Sequence, residues 1–242
     1  MNIIKLSATT STNDFLKELS ATQSLEDFTV AWAELQTKGK GQMGTHWVAE
    51  AAKNLTFSIF LGGNALKIKD LFSLNVMVAN AVLNALDTFN LPHIYVKWPN
   101  DILSYNKKIA GILIENNIKA NGNIQTIIGI GMNVLQTNFD EFPNASSIYK
   151  QYGVVVQREE LIEKIVGNLR ETLANFEQNA DHQWDLYHKR LFKKEMVSTF
   201  ENDQKERFSG IIKKVNRQGQ LVVQLENDDL KAFNLKEIKL LY

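Results

Sequence analysis

The sequence predicts an α+β protein that ends in a small β-barrel, and three observations carry that prediction. Apolar residues recur every three or four positions over 68–89 and 158–178, which is helical spacing. Between those stretches, over 94–134, lie β-branched and apolar runs interrupted by glycine and by turn formers, as in paired strands. Beyond residue 193 the chain breaks into short apolar runs separated by turns, the pattern of a compact all-β unit.

Composition bounds the rest. A chain of 242 residues accommodates one full-sized domain with a small appendage and can bury a sizeable core. Its apolar (44%) and charged (22%) fractions are those of a soluble globular protein. Basic and acidic residues balance at 27 each, so no net positive field favours bulk binding of nucleic acid or of an anionic membrane. The absence of cysteine excludes disulfides, thiolate nucleophiles and cysteine zinc sites, and fits a reducing cytosol. Residues 1–5 lack the apolar core of a signal peptide, and no apolar run approaches the ~20 residues that a membrane helix needs. A soluble, cytoplasmic protein is expected.

Residues 2–6 read as a short strand. The segment 9–14 is rich in capping side chains and precedes Phe15, Leu16 and Leu19 at helical spacing, so a helix starts near Ser11. Its first-turn amides and hydroxyls serve either as caps or as ligand contacts. Residues 28–35 are apolar except for Thr29 and Glu34, as expected of a strand buried on both faces. That strand feeds a loop in which Gly39, Gly41 and Gly44 free the backbone to approach a ligand, with Lys38 and Lys40 adding charge. A solvated loop is the competing reading. Leu55, Phe57, Ile59 and Leu61 then alternate as a strand, and the helix over 68–89 is ended by Asn90 and Pro92.

Residues 97–115 are the most distinctive stretch. Lys97-Trp98-Pro99-Asn100-Asp101 ends one strand, because the proline cannot continue a ladder, and presents Asn100 and Asp101 at its tip. After a turn at 103–107, Lys108-Ile109-Ala110-Gly111 opens the next strand. Two ammonium groups, an amide and a carboxylate within so short a span suit an anionic, phosphate-bearing ligand. Gly111 weakens its strand unless something must approach the backbone, and Gly129 and Gly131 repeat the pattern before Asn133. The two glycine-thinned strands, joined by a hairpin turn at Asn121-Gly122, suggest a flat backbone surface against which a ligand lies. Beyond a loop near Pro143, helices are expected over 158–178 and, more briefly, 184–192. Strands are expected at 196–200, 208–215, 221–225 and 231–235, forming a barrel of ~45 residues.

Two other chemistries are excluded. Gly39, Gly41 and Gly44 match a dinucleotide fingerprint, but the loop leads into a strand rather than a helix, and Ile59 stands where an acidic residue is required. The four histidines, His46, His93, His182 and His188, are not at metal-ligand spacing, and no Ser-His-Asp set has support from local motifs.

Taken in order, Ser11-Thr12-Asn13, the glycine loop between Gln36 and Trp47, Lys97-Trp98-Pro99-Asn100-Asp101, Lys108-Ile109-Ala110-Gly111 and Gly129-Ile130-Gly131-Met132-Asn133 resemble the biotin protein ligase family. The Trp-Pro-Asn-Asp and Lys-Ile-Ala-Gly pairing is the specific part. The resemblance implies a mixed central sheet with flanking helices, of class II synthetase type, over 1–193, and an SH3-like barrel over 194–242. It implies that ATP and magnesium activate biotin as biotinyl-5′-AMP, which then acylates a lysine of a biotin carboxyl carrier domain.

By the same resemblance, Ser11, Thr12, Asn13, Gln36, Lys40, Gly41, Gln42, Lys108 and Gly111 would bind biotin. Gly39, Lys40, Gly44, Trp47, Lys97, Asn100 and Asn133 would contact ATP or the adenylate. Lys108, Lys40 and Asp101 would be the catalytic groups, with Asp101 steering and deprotonating the acceptor lysine or else orienting Lys97 or a metal-bound water. Magnesium would arrive on the ATP phosphates rather than at a protein metal site. A homodimer is compatible with the family.

Two departures stand out. The family's loop very often carries arginines where this chain has Gln42, Met43 and Thr45, which implies weaker retention of the adenylate or a less ordered loop. Some family members begin with a DNA-binding winged helix, whereas here the first strand starts within five residues of Met1, so no operator binding is expected. The rival readings are a lipoate-type ligase and a catalytically silent biotin sensor.

Overall fold

The computed structural model describes residues 1–62, 71–118 and 124–242. The strands are β1 (Ile3–Leu6), β2 (Thr29–Ala33), β3 (Leu55–Leu61), β4 (Ile94–Lys97), β5 (Asp101–Ser104), β6 (Lys107–Ile118), β7 (Ile124–Met132), β8 (Val197–Asn202), β9 (Arg207–Val215), β10 (Leu221–Leu225), β11 (Leu230–Phe233) and β12 (Ile238–Leu241). The helices are α1 (Thr12–Thr22), α2 (Leu71–Asp87), α3 (Ile148–Tyr152), α4 (Arg158–Ala174) and α5 (Phe176–Lys189).

The first seven strands form one sheet in the order β1-β2-β3-β7-β6-β5-β4. Only β1 and β2 run parallel; every other pair is antiparallel, so the sheet is mixed as expected. Its two faces are unequal. On one, α2 packs with α4 and α5 over Val30, Leu55, Phe57, Ile59, Ile128 and Ile112 in the main core. On the other, α1 covers a small separate cluster of Leu16, Ala31, Phe60 and Ile127. Successive side chains of a strand point to opposite faces, so β3 feeds the main core with its odd-numbered residues and the α1 face with Thr56, Ser58 and Phe60. All seven β3 residues are buried, which is why this strand tolerates no charge.

Local chemistry agrees with these elements. The Ser11 side chain caps α1 by accepting from the Asp14 amide. Helix α2 has apolar residues on nearly all sides because it lies between the sheet and the pair α4 and α5. Glu159 and Glu160 sit in the first turn of α4, where the helix dipole favours negative charge.

The structure corrects four expectations. The helix over 158–178 ends at Ala174, because Asn175 adopts non-helical torsions (φ −112°, ψ 15°), and the next helix runs from Phe176 rather than from 184. Helix α3 replaces part of what reads as a loop. The carboxy-terminal unit is an open five-stranded antiparallel sheet, β11-β10-β9-β8-β12, and not a closed barrel. Its fifth strand, β12, pairs with β8 through residues whose lysine-broken pattern gives little strand signal. The Asn121-Gly122 turn and the start of the helix at Ile68 lie outside the described residues.

Candidate active site

Cross-strand register explains how the site is built. Ala33 pairs with Thr56, Thr56 with Gly131, Gly131 with Gly111, Gly111 with Asp101 and Asp101 with Lys97, giving one row from β2 to β4 on a single face of the sheet. Ala31, Ser58, Gly129 and Leu113 form the next row. Both rows lie on the α1 face. The glycines make the middle of this face low, and charged groups rise at its β5 end.

A β-bulge between Ile102 and Leu103 completes the charge set. It places Lys108 opposite Leu103, two residues from Asp101, and so on the face of Asp101 and Gly111. Unbroken alternation over the three positions from Lys108 to Gly111 would have sent the lysine to the other face. Asp101 consequently bridges two ammonium groups, with Lys108 Nζ 2.6 Å from Oδ1 and Lys97 Nζ 3.4 Å from Oδ2.

At the α1 end amide and hydroxyl side chains are linked by hydrogen bonds, with the Glu115 carboxylate among their partners. Gln36 Oε1 accepts from the Thr12 amide (2.7 Å) and the Thr12 hydroxyl (3.0 Å). Asn13 donates from Nδ2 to Glu115 (2.6 Å), and Ser58 donates to Asn13 Oδ1 (2.5 Å) or to Thr12 Oγ1 (2.7 Å), its single proton serving one at a time. A Cβ on Gly129 would collide with Asn13 Oδ1, so that glycine makes room for the amide.

The glycine loop folds as a tight hairpin. Gly41 donates to Thr45 O (2.7 Å), Trp47 to Gly39 O (3.0 Å), and a 3₁₀ turn at Gln42–Gly44 has Met43 at φ 56°. The hairpin returns Trp47 across the sheet, where its indole covers Gly131 and approaches Gly111. Lys108 Nζ lies 5.6 Å from the indole centroid. Here, then, the glycine-thinned strands carry an indole from the same chain, where the sequence suggests a surface for a ligand. Lys40 donates to Asp14 Oδ1 at 2.6 Å. That hydrogen bond, helped by the charges of Asp14 and Glu115 and opposed by burial, holds the Lys40 ammonium above the usual lysine range.

These groups enclose a cavity of about 260 Å³. Of the residues expected from the sequence, Ser11, Thr12, Asn13, Gln36, Lys40, Gly41, Gln42, Trp47, Asn100, Asp101, Lys108 and Gly111 line it. Gly39, Gly44, Lys97 and Asn133 do not. Gly39 closes the base of the hairpin, Gly44 holds its turn at φ 83°, and Lys97 stands behind Asp101. The Asn133 amide is buried and donates to Ser146 O. Asn100 combines both conditions, since its side chain donates to Ile112 O at 2.7 Å while lining the cavity.

Sequence reasoning assigned no ligand role to Asp14, Ser58 or Glu115. Ser58 does carry a signal, as a hydroxyl inside an otherwise apolar buried strand; Asp14 and Glu115 look like a helix-cap acid and a strand-end acid. Among the described residues no group of three or more His, Cys, Asp or Glu side chains converges as a metal site.

Residues 6–133 match the biotin/lipoate A/B protein ligase family. That span is more than half of the chain, and the protein belongs to this family. The bifunctional ligase/repressor BirA of Escherichia coli K12 is 30% identical over 175 residues, 70% of this chain and 53% of that protein. The biotin--[acetyl-CoA-carboxylase] ligase of Mycobacterium tuberculosis is 28% identical over 182 residues, 72% of this chain and 65% of that one. The chain spans about half the length of the curated BirA relatives it matches. Among solved structures, the biotin protein ligase of Aquifex aeolicus in complex with biotin and ATP superposes with a TM-score of 0.82 at 24% identity, covering 99% of this chain and 98% of that one. The Leishmania major ligase in complex with biotin gives 0.65 at 23% identity, with 96% and 98% covered. At these identities the likeness is one of fold.

Proposed function

We propose that this protein is a biotin protein ligase. In the first step one biotin carboxylate oxygen attacks the α-phosphorus of ATP, forming biotinyl-5′-AMP and expelling pyrophosphate. In the second, a carrier lysine amine attacks the anhydride carbonyl, forming the amide and releasing AMP. The observation that carries the reading is the placement, in one cavity, of a neutral amide and hydroxyl wall beside the Asp101–Lys108 pair. The wall, made by Thr12, Asn13 and Gln36 and buttressed by the buried Ser58, suits an uncharged ureido head group. The ammonium groups suit the end of the ligand where carboxylate and phosphate meet.

Lys108 then offsets the repulsion between biotin carboxylate and α-phosphate. As Lys108 turns to the phosphate, Asp101 Oδ1 is released to steer the acceptor ammonium and take its proton. Lys40 and Gln42 cover the adenylate from the loop, and the hairpin limits hydrolysis by water. Magnesium would arrive on the ATP phosphates, and Asp101, a carboxylate lining the cavity, is paired with Lys97 and Lys108. Residues 1–193 are assigned to the catalytic domain and 194–242 to an SH3-like domain, the latter supported by its five-stranded antiparallel sheet. The acceptor is a biotin carboxyl carrier domain, and the cytoplasm is the assigned location. Among the described residues no helix is long and apolar enough to cross a membrane.

Biotin-dependent ATP–pyrophosphate exchange, followed by transfer to a carrier fragment, tests the proposal. Exchange with lipoate in place of biotin would move the protein to the other branch of its family, and binding of biotin without exchange would leave a sensor.

A further inference from the structure

The charged end of the row does not stop at Lys97. Lys97 Nζ lies 5.4 Å from the centroid of the Tyr242 ring, so the ammonium stands between an aromatic face and the Asp101 carboxylate. Tyr242 follows β12 and is held edge-on against Phe192, with ring centroids 5.2 Å apart at 70°. The Phe192 amide in turn donates to Val96 O on β4, the strand that carries Lys97. The carboxy-terminal sheet is thereby tied to the edge strand of the large sheet at the point where the charge cluster begins.

The side chains of Lys97 and Asp101 are only 19% and 15% exposed, so solvent screens their interaction weakly. Tyr242 keeps 38% of its surface exposed, yet burial first and the Asp101 charge second push its phenol up to about 12. At neutral pH it is an uncharged ring, which is what an ammonium group requires of a partner.

We infer that Tyr242 is a positioning residue for adenylation, acting through Lys97 on Asp101 and so on Lys108. The inference rests on the ligase reading above. Asp101 holds Lys108 at 2.6 Å and Lys97 at 3.4 Å, so the weaker partner is the one that the ring must keep in place. If Lys97 drifts away, Asp101 has one cation left and binds Lys108 more firmly. The lysine is then less available to the carboxylate and phosphate.

The test uses the full chain. Tyr242→Leu is expected to lower kcat for biotin-dependent pyrophosphate exchange about five- to thirtyfold, with KM for biotin within about twofold, the scale of one partly desolvated cation–π contact. Tyr242→Phe, which keeps the ring, restores kcat to within about twofold of wild type. In a Lys97→Met background, Tyr242→Leu adds less than about twofold, because the two act as one unit.

A readout independent of activity is the ¹³C-methyl signal of reductively dimethylated Lys97, identified by its loss in Lys97→Arg. It is shifted by the ring current in wild type and Tyr242→Phe, and moves to the free-lysine position in Tyr242→Leu or, if that variant fails to fold, in Tyr242→Met. Full kcat in Tyr242→Leu, a penalty that persists beside Lys97→Met, or an unshifted Lys97 signal in wild type would each overturn the inference. Wild-type protein without pyrophosphate exchange defeats the ligase reading instead, and the Lys97 signal still decides whether Tyr242 holds that lysine.

Discussion

Asp14, in the first turn of α1, binds the ammonium group of Lys40, in the glycine loop, at 2.6 Å. A carboxylate beside the amide end of the cavity therefore competes with any phosphate for a cation of the glycine loop. Asp14→Asn leaves Lys40 to the adenylate, so dissociation of biotinyl-5′-AMP should slow. Lys40 is 45% and Asp14 28% exposed, and a pair so exposed to solvent is worth little, which limits the effect to about two- to fivefold. Stopped-flow release of the intermediate measures it, and a faster release would mean that Asp14 orders the loop instead of competing for it.

Gln42 lines the cavity from the hairpin tip, where the family very often has arginine. Gln42→Arg adds a charge-assisted hydrogen bond to the phosphate, worth about 1.5–3 kcal/mol, and should slow the same release by tenfold or more. Equal rates in the two proteins would sink the assignment.

Lys108 owes its position to the bulge in β6. Lys108→Ala should reduce biotin adenylation about 10²–10³-fold, the scale for losing one preorganised charge stabiliser. A change under twofold in pyrophosphate exchange would mean that another lysine does this work.

Gly131 lies beneath the Trp47 indole, and a methyl group there would collide with the ring. Gly131→Ala should displace Trp47 from the sheet and weaken biotin binding about five- to 150-fold, for a cost of about 1–3 kcal/mol typical of overpacking. Calorimetry measures the affinity, and the tryptophan emission shift reports the moved ring. Wild-type affinity would place the ligand away from this face.

His188 joins α5 to the carboxy-terminal sheet, its Nε2 lying between the Val215 carbonyl (2.9 Å) and amide (3.2 Å). Burial is the main reason that its pKa lies below the ordinary 6.5. The unfolded chain therefore takes up the proton first, and stability is lost as pH falls from 6.5 through the lower folded value. Urea denaturation between pH 7.5 and 5 should show this acid slope as roughly one proton's worth. His188→Gln should flatten it, and an unchanged slope in that variant would assign it to other groups.

Much of this was legible in the residues. The alternation at Leu55, Phe57, Ile59 and Leu61, the long apolar helix and the glycines at 111, 129 and 131 all report local backbone requirements, and the strands and helix stand where those signals lie. The Lys108 position was not legible, because strand alternation alone places it on the wrong face and a bulge has no residue signature here. Nor was the partner of Trp47, since glycine announces a close approach without saying what approaches. Asn175 broke a helix that periodicity carried through, because the apolar stripe continues in phase across the break. Tyr242 escaped notice for a simpler reason, as its contact with Lys97 spans 145 positions and leaves no trace in local sequence.

The alternation along β3 separates two kinds of tolerance within one strand. Replacements at Leu55, Phe57, Ile59 or Leu61 should register in melting temperature, whereas replacing Ser58, buried beneath the Thr12 and Asn13 that line the cavity, should register in how those two side chains meet a ligand. Variation at Ser58 thus retunes the ligand-facing amide and hydroxyl from beneath, without placing a new group in the cavity.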